Sequence, residues 1–298
     1  MVDAGWLWAL FTVIAAAAQT VRNATQRELT ATLGTVGATH VRFLFGFPFA
    51  LVFLAAVMIA FGQALPRPPP IYWPWIMLGA FAQIAATALM LAAMNDRSFV
   101  VVYAYIKTEA VQAALFGLVF LGDAVTLPAG AAILIATTGV VIMALKPGTA
   151  LDARATLLGL AAGAMFALSA VGYRGAILSL GLPSYLMAAT FTLTAGLVLQ
   201  AALLTLYLWR REPNVLSSIV RAWRPSLFAG FMGALASQFW FLAFALAAVA
   251  SVRTLALVEV LFAQAISRFV FKQPTTPREG FGIALIVIGV AMLLWAGR

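Results

Sequence analysis

Long apolar stretches separated by short polar connections constrain this chain more than any other feature. A helix needs about 20 mainly apolar residues to cross the ~30 Å hydrocarbon core of a bilayer. Ten such stretches are predicted at residues 5–24, 38–61, 72–94, 98–121, 127–145, 156–178, 184–208, 225–248, 252–271 and 280–296. Only 9% of the residues are charged and 64% are hydrophobic, whereas soluble domains carry roughly 25% charged residues. We therefore predict an all-α integral membrane protein whose surroundings are the lipid bilayer.

The second half of the sequence echoes the first. A shift of 150 positions aligns Glu109 with Glu259 and Gly139 with Gly289. The matches follow one another in order along the predicted helices, which favours an internal duplication over chance similarity between apolar segments.

This duplication predicts ten transmembrane helices arranged as two inverted five-helix repeats, at residues 1–150 and 151–298. Because five is odd, the second repeat must enter the membrane from the opposite side. Inverted repeats are typical of secondary transporters, in which the substrate binds between the halves near the bilayer midplane. The chain contains both repeats, so a monomer could suffice.

One short motif connects the chain to a known family. Residues 121–126 read Leu-Gly-Asp-Ala-Val-Thr and are followed by Gly130 and Gly139. They resemble the "LGE-x-x-T" turn between helices 4 and 5 of the EamA-type exporters in the drug/metabolite transporter superfamily. Over its whole length the chain is most similar to the YddG-like exporters of aromatic and other amino acids. The resemblance implies ten helices, a multi-pass protein of the bacterial inner (plasma) membrane, and export of small molecules.

The chain departs from this family at four places, and the first is Asp123, which stands where Glu is usual in the turn. Many members carry Glu-Pro in helices 4 and 9, whereas Glu109 and Glu259 are followed here by Ala110 and Val260. The turn at residues 271–276 lacks the Gly-Glu pair of the family. These departures leave the substrate open.

Three charged residues lie deep in the predicted helices: Lys107, Glu109 and Glu259. A charge at the bilayer centre costs about 2.5–3.5 kcal/mol on insertion scales, so it faces a cavity or a partner and marks a functional site. Lys107 and Glu109 are two positions apart and point in different directions on one helix. A direct Lys107–Glu109 pair is therefore not expected, and Lys107 is predicted to meet Glu259 across the repeat interface. These groups could bind the ends of an amino acid, carry a coupling proton, or form a structural ion pair.

Aromatic and amide side chains add further candidates. Helical spacing puts Tyr103 on the face of Lys107, and puts Tyr105 with Glu109 and Gln112 on another. The complete set of predicted substrate-binding or coupling residues is Tyr103, Tyr105, Lys107, Glu109, Gln112, Gln83, Trp240, Gln238 and Glu259, with Gln264 as a weaker member. His40 and Arg42 are expected at the membrane interface, where long side chains reach water.

The net charge of +9 is spread over short connections and does not indicate nucleic-acid binding. Most Lys and Arg residues fall on one side of the predicted helices, which by the positive-inside rule places both termini outside. The resemblance implies the opposite orientation, and both remain open.

The sequence also favours a transporter over two other classes of membrane protein, an enzyme and a channel. One His, no Cys, no H-E-x-x-H and no G-x-S-x-G argue against an enzyme, and nothing requires a metal or a cofactor. A channel would favour a ring of like residues, whereas the buried groups here are mixed in sign. The mixed inventory suits an amino acid, so we expect a broad-specificity amino acid exporter. The alternatives are an exporter of drugs or other small metabolites and, after it, a passive channel.

Overall fold

The computed structural model describes residues 6–96, 99–144, 153–269 and 276–296. This part of the chain forms thirteen helices and contains no strand. In chain order they are α1 (Leu7–Leu44), α2 (Phe47–Phe61), α3 (Tyr72–Asp96), α4 (Phe99–Lys107), α5 (Glu109–Leu121), α6 (Leu127–Ala144), α7 (Ala153–Ser179), α8 (Tyr185–Arg211), α9 (Pro213–Arg221), α10 (Trp223–Leu246), α11 (Val249–Leu255), α12 (Val258–Phe269) and α13 (Pro277–Ala296).

The polarity of the described part is that of a multi-pass membrane protein. Seven of its helical segments are long and apolar enough to cross a bilayer. Large apolar side chains such as Ile59, Leu127 and Trp295 lie on the outside, while charged side chains such as Lys107 and Glu259 are buried. A soluble protein would place these two classes the other way round. The all-α membrane fold expected from the sequence is thus confirmed at this level.

Helix α1 includes residues 25–37, which were expected to form a loop, but it is not one straight rod. Gly34 has φ 67° and ψ 176°, a conformation open mainly to glycine. The Gln26 side chain donates to the Ala38 carbonyl at 2.8 Å, although residues 12 positions apart lie about 18 Å apart along a straight helix. The chain therefore reverses at Gly34, and α1 consists of two helical arms, 7–33 and 35–44.

The stretches predicted as continuous helices at 98–121 and 252–271 are each interrupted by a break, the second near its start. Between α4 and α5, the Thr108 N–H and hydroxyl both donate to the Tyr105 carbonyl, at 3.2 and 2.7 Å. Between α11 and α12, the Glu259 N–H donates to the Ala256 carbonyl at 3.1 Å. These bonds span three residues instead of four, so each helix tightens locally and its axis is interrupted. No proline is present at either break.

Small residues allow the helices to approach closely. The most extensive contacts join α3 to α7, α1 to α10 and α6 to α13. Where α7 crosses α3, a Cβ built at Gly172 would stand 2.6 Å from the Gly79 nitrogen. In lipid, where no hydrophobic force draws helices together, such close packing of small residues supplies much of the association. The short helix α9 was not anticipated, and it packs Val215 and Ile219 beside Gly37.

Candidate functional site

Four charged side chains meet where the two broken helices face one another. Lys107 contacts Glu259 directly. The Glu109 Oε1 atom lies 3.7 Å from Lys107 Nζ and 3.7 Å from Arg253 Nη1. We call Lys107, Glu109, Arg253 and Glu259 the ionic cluster. Each is at most 6% exposed, so the cluster is removed from water.

The helix breaks explain why these charges sit where they do. Lys107 and Arg253 occupy the last turns of α4 and α11, and Glu109 and Glu259 occupy the first turns of α5 and α12. A helix carries partial negative charge at its C-terminus and partial positive charge at its N-terminus. Each break therefore stabilises a cation on one side and a carboxylate on the other, as unbroken helices could not.

Tyr103 extends the cluster toward α1. Its hydroxyl donates to Glu259 Oε2 at 3.0 Å and accepts from Asn23 Nδ2 at 3.2 Å. Lys107 Nζ lies 4.7 Å from the centre of the Tyr103 ring, within the range of a cation–π interaction. The predicted shared face of Tyr103 and Lys107 is present, as is the contact between Lys107 and Glu259. The expectation that Lys107 and Glu109 would stay apart is wrong, because the break at Thr108 turns Glu109 back toward Lys107.

Trp240 forms an aromatic wall of the same site. The Arg253 guanidinium lies 4.6 Å from the Trp240 ring centre and 5.3 Å from that of Phe244. The Trp240 indole N–H donates to Gln19 Oε1 at 3.0 Å. Trp240, in the middle of α10, thus connects the ionic cluster to α1.

Three buried arginines were missed by the sequence analysis as site residues: Arg253 of the ionic cluster, Arg22 and Arg42. Arg22 and Arg42 are 1% and 2% exposed, and Arg42 is not at an interface as expected. Arg22 donates through Nε to Asn23 Oδ1 at 3.1 Å. Arg42 donates to the hydroxyls of Thr87 at 3.3 Å and Ser237 at 3.5 Å. Both lie near apparent ends of apolar stretches, where the sequence indicates interfacial charge.

The neutral candidate Gln83 belongs to a second polar group. Its Oε1 atom accepts from Gln200 Nε2 at 3.0 Å and from the Tyr173 hydroxyl at 3.3 Å. Gln83 lies one turn before Thr87 on α3, and the Thr87 hydroxyl bonds back to the Gln83 carbonyl. This amide cluster of Gln83, Tyr173 and Gln200 is therefore adjacent to Arg42.

Other predicted residues lie away from the ionic cluster. Tyr105 packs against α7 beside Gly159. Gln112 donates to the Leu160 carbonyl, also on α7, at 3.5 Å. The expected common face of Tyr105, Glu109 and Gln112 is thus divided by the helix break, which leaves only Glu109 in the cluster.

Gln238 and His40 have partners on α8. Gln238 donates to the Thr190 hydroxyl at 2.9 Å, although it is only two residues from Trp240. His40, expected at the interface, is fully buried and lies 3.0 Å from the Thr205 hydroxyl. Gln264 is partly exposed on α12.

The turn that carries the family resemblance is held by a partly buried arginine clamp. Asp123 Oδ2 accepts from Arg174 Nε at 3.2 Å. Arg174 also donates to the carbonyls of Phe244 and Ala247, at 2.6 and 2.8 Å. The clamp fastens the α5–α6 turn to the end of α10, which is a structural role.

The fold recurs in another protein. No protein-family model and no curated protein matches the sequence. A solved crystal structure of a protein aligns with a TM-score of 0.71 and 17% identity, over 99% of this chain and 98% of that one. At this identity the similarity concerns the fold alone, and it extends over nearly all of both chains.

Proposed function

We propose that the protein is a secondary transporter of amino acids, working as an exporter in the bacterial inner membrane by alternating access. In this proposal the chain is an EamA-type member of the drug/metabolite transporter superfamily. Ten membrane segments form two inverted repeats, and the substrate binds at the ionic cluster between them.

The helix packing supports the inverted repeats. The ten segments would be residues 7–33 and 35–61, α3, α4 with α5, α6, α7, α8, α10, α11 with α12, and α13. A two-fold axis that exchanges the halves exchanges α3 with α10, and the first arm of α1 with α7. The extensive α3–α7 contact is then the counterpart of the contact between α10 and the first arm of α1, where Phe11 packs on Phe239 and Trp240 bonds to Gln19. The α6–α13 contact is its own counterpart. The two helix breaks, each with Glu just after it, form a further equivalent pair.

The observation that carries the proposal is that charge pairs join the two halves at broken helices. Lys107 of the first half contacts Glu259 of the second, and Glu109 of the first lies beside Arg253 of the second. An amino acid brings one ammonium and one carboxylate. Its ammonium can take the place of a protein cation beside a glutamate, and its carboxylate can take the place of a glutamate beside a protein cation. The contacts between the halves are then loosened only when substrate is bound. A ligand shifts a conformational equilibrium through this kind of differential interaction.

Uptake and counter-flow of a radiolabelled amino-acid panel in proteoliposomes test the proposal. We expect saturable flux and counter-flow, which a passive channel would not give. Glu109→Gln and Lys107→Met should abolish both. Glu279→Gln is the matched control, because Glu279 is only partly buried and accepts from the Thr276 N–H in a helix cap that a glutamine preserves. Imposing a proton gradient distinguishes a coupling role of the carboxylates from substrate binding alone.

A folded wild type that moves no amino acid would refute the amino-acid proposal. A drug or metabolite panel would then be the next measurement. Flux that rises linearly with concentration, without counter-flow, would refute the carrier and favour a channel.

A further inference from the structure

The buried charges of the described residues do not balance. Lys107 and Arg253 are compensated by Glu109 and Glu259. Within the described chain, by contrast, no carboxylate lies within ion-pair distance of Arg22 or Arg42. Among the described residues, the interior therefore holds two positive charges without a counter-ion.

The two arginines are neighbours. A Cβ built at Gly233 of α10 would stand 3.3 Å from Arg42 Cγ and 3.4 Å from Arg22 Cδ. In one straight helix these two arginines, 20 positions apart, would be about 30 Å apart. The chain reversal at Gly34 brings them together, one from each arm of α1, against the small residue Gly233.

Both guanidinium groups have an N–H donor without a hydrogen-bond partner. Arg22 Nη1 and Arg42 Nε are buried without a hydrogen-bond partner. The remaining bonds of the pair go to neutral groups, namely Asn23, Thr87 and Ser237. Burying a charge without a counter-charge costs several kcal/mol, and two adjacent like charges add their repulsion.

Arg174 provides a comparison within the chain. It is also largely buried, yet it is bonded to the Asp123 carboxylate and to two carbonyl oxygens. A purely structural arginine is satisfied in this way. Arg22 and Arg42 lack such partners, so the missing acceptor is expected from a ligand.

We infer that Arg22 and Arg42 form an anion site that binds a carboxylate of the transported molecule. This inference rests on the proposed function and narrows its substrate class. Because the ionic cluster is neutral by itself, it suits the zwitterionic part of an amino acid. The arginine pair calls for an additional negative charge, so the substrate is an acidic amino acid or a similar small dicarboxylate. Each guanidinium offers one unpartnered nitrogen, and a charge-assisted hydrogen bond from it to a carboxylate is roughly twice as strong as a neutral one.

Glutamate and glutamine are the decisive pair of probes, because they have nearly the same shape and differ in one charge. We expect proteoliposomes to transport glutamate with a kcat/KM about 10- to 100-fold above that for glutamine, as charge-assisted hydrogen bonds imply. In Arg22→Gln and in Arg42→Gln the ratio of the two kcat/KM values should fall toward one. Arg42→Lys, which keeps the charge and loses the planar fork, should give an intermediate ratio.

The ratio is insensitive to how much of a variant is folded, since both substrates are measured on one preparation. Arg174→Gln is the matched control and should lower stability without changing the ratio. Equal transport of glutamate and glutamine by wild type and both arginine variants would overturn the anion site, while leaving the amino-acid carrier standing.

Thermal protection of the purified protein separates the two proposals further. Protection by glutamate that is lost in Arg42→Gln, without flux of any amino acid, would support the anion site and refute transport of amino acids. Equal protection by chloride or phosphate at the same concentration would assign the pair to inorganic anions and refute a carboxylate substrate.

Discussion

Removing Lys107 should destabilise the protein strongly, and removing Glu259 with it should restore much of the loss. In Lys107→Met, Glu259 loses its direct partner and Glu109 loses one of two cations at 3.7 Å. At this separation a unit-charge pair is worth ~4 kcal/mol for an effective dielectric constant near 20. Part of this is offset because the ammonium no longer needs to be desolvated. Breaking a buried pair by removing one partner typically costs about 3–5 kcal/mol.

The double variant Lys107→Met/Glu259→Gln removes both charges of the pair and leaves Glu109 beside Arg253. It should therefore be more stable than Lys107→Met alone by about 2–3 kcal/mol, because Glu259 no longer leaves an uncompensated charge in the interior. Arg154→Met is the matched control, because the Arg154 side chain is 78% exposed at its 3.5 Å contact with Asp96. Exposed pairs contribute about 0–1 kcal/mol.

Thermal unfolding of the purified protein, followed by tryptophan fluorescence, measures these differences. A loss of 3–5 kcal/mol corresponds to a decrease in Tm on the order of 10 °C. The reasoning fails if Lys107→Met unfolds within a few degrees of Arg154→Met. It also fails if the double variant is no more stable than Lys107→Met, because the buried charges would then not depend on one another.

Two further predictions concern packing and the clamp, and the same Tm measurement checks both. Gly172→Ala should cost about 1–3 kcal/mol, because its Cβ would meet the Gly79 backbone at 2.6 Å; Gly280→Ala, with nothing within 4 Å, should be neutral or stabilising. Equal Tm values for the two glycine variants would contradict close packing of α3 and α7. Asp123→Asn should cost about 2–4 kcal/mol, because it leaves the Arg174 guanidinium, 3.2 Å away, largely buried without its counter-charge. An unchanged Tm in Asp123→Asn would show that the ion pair with Arg174 does not stabilise this turn.

Much of the fold could be predicted from the sequence, because in a membrane the length and polarity of a segment restrict its structure severely. Each of the ten expected apolar stretches contains helix, and Lys107 and Glu259 were placed together by their depth alone. The breaks at Thr108 and near Ala256 could not be predicted, since they follow no proline. They arise from tertiary contacts, because helix ends stabilise opposite charges on two facing helices better than helix centres do.

Arg22 and Arg42 mark the limit of sequence reasoning more clearly. In the sequence alone, a charged residue near the end of an apolar stretch looks the same whether its side chain reaches water or is buried in the protein. What decides between the two outcomes here is Gly34, a single residue with positive φ in a segment expected to be a loop. Because helix α1 continues to that glycine and reverses there, Arg22 stays within the helical bundle and Arg42 returns to the same level. The positive-inside rule assumes that such arginines face the aqueous phase. Two of the charges that it would count on one side are thus interior groups, and the orientation has to be measured directly by a reporter fused to the C-terminus.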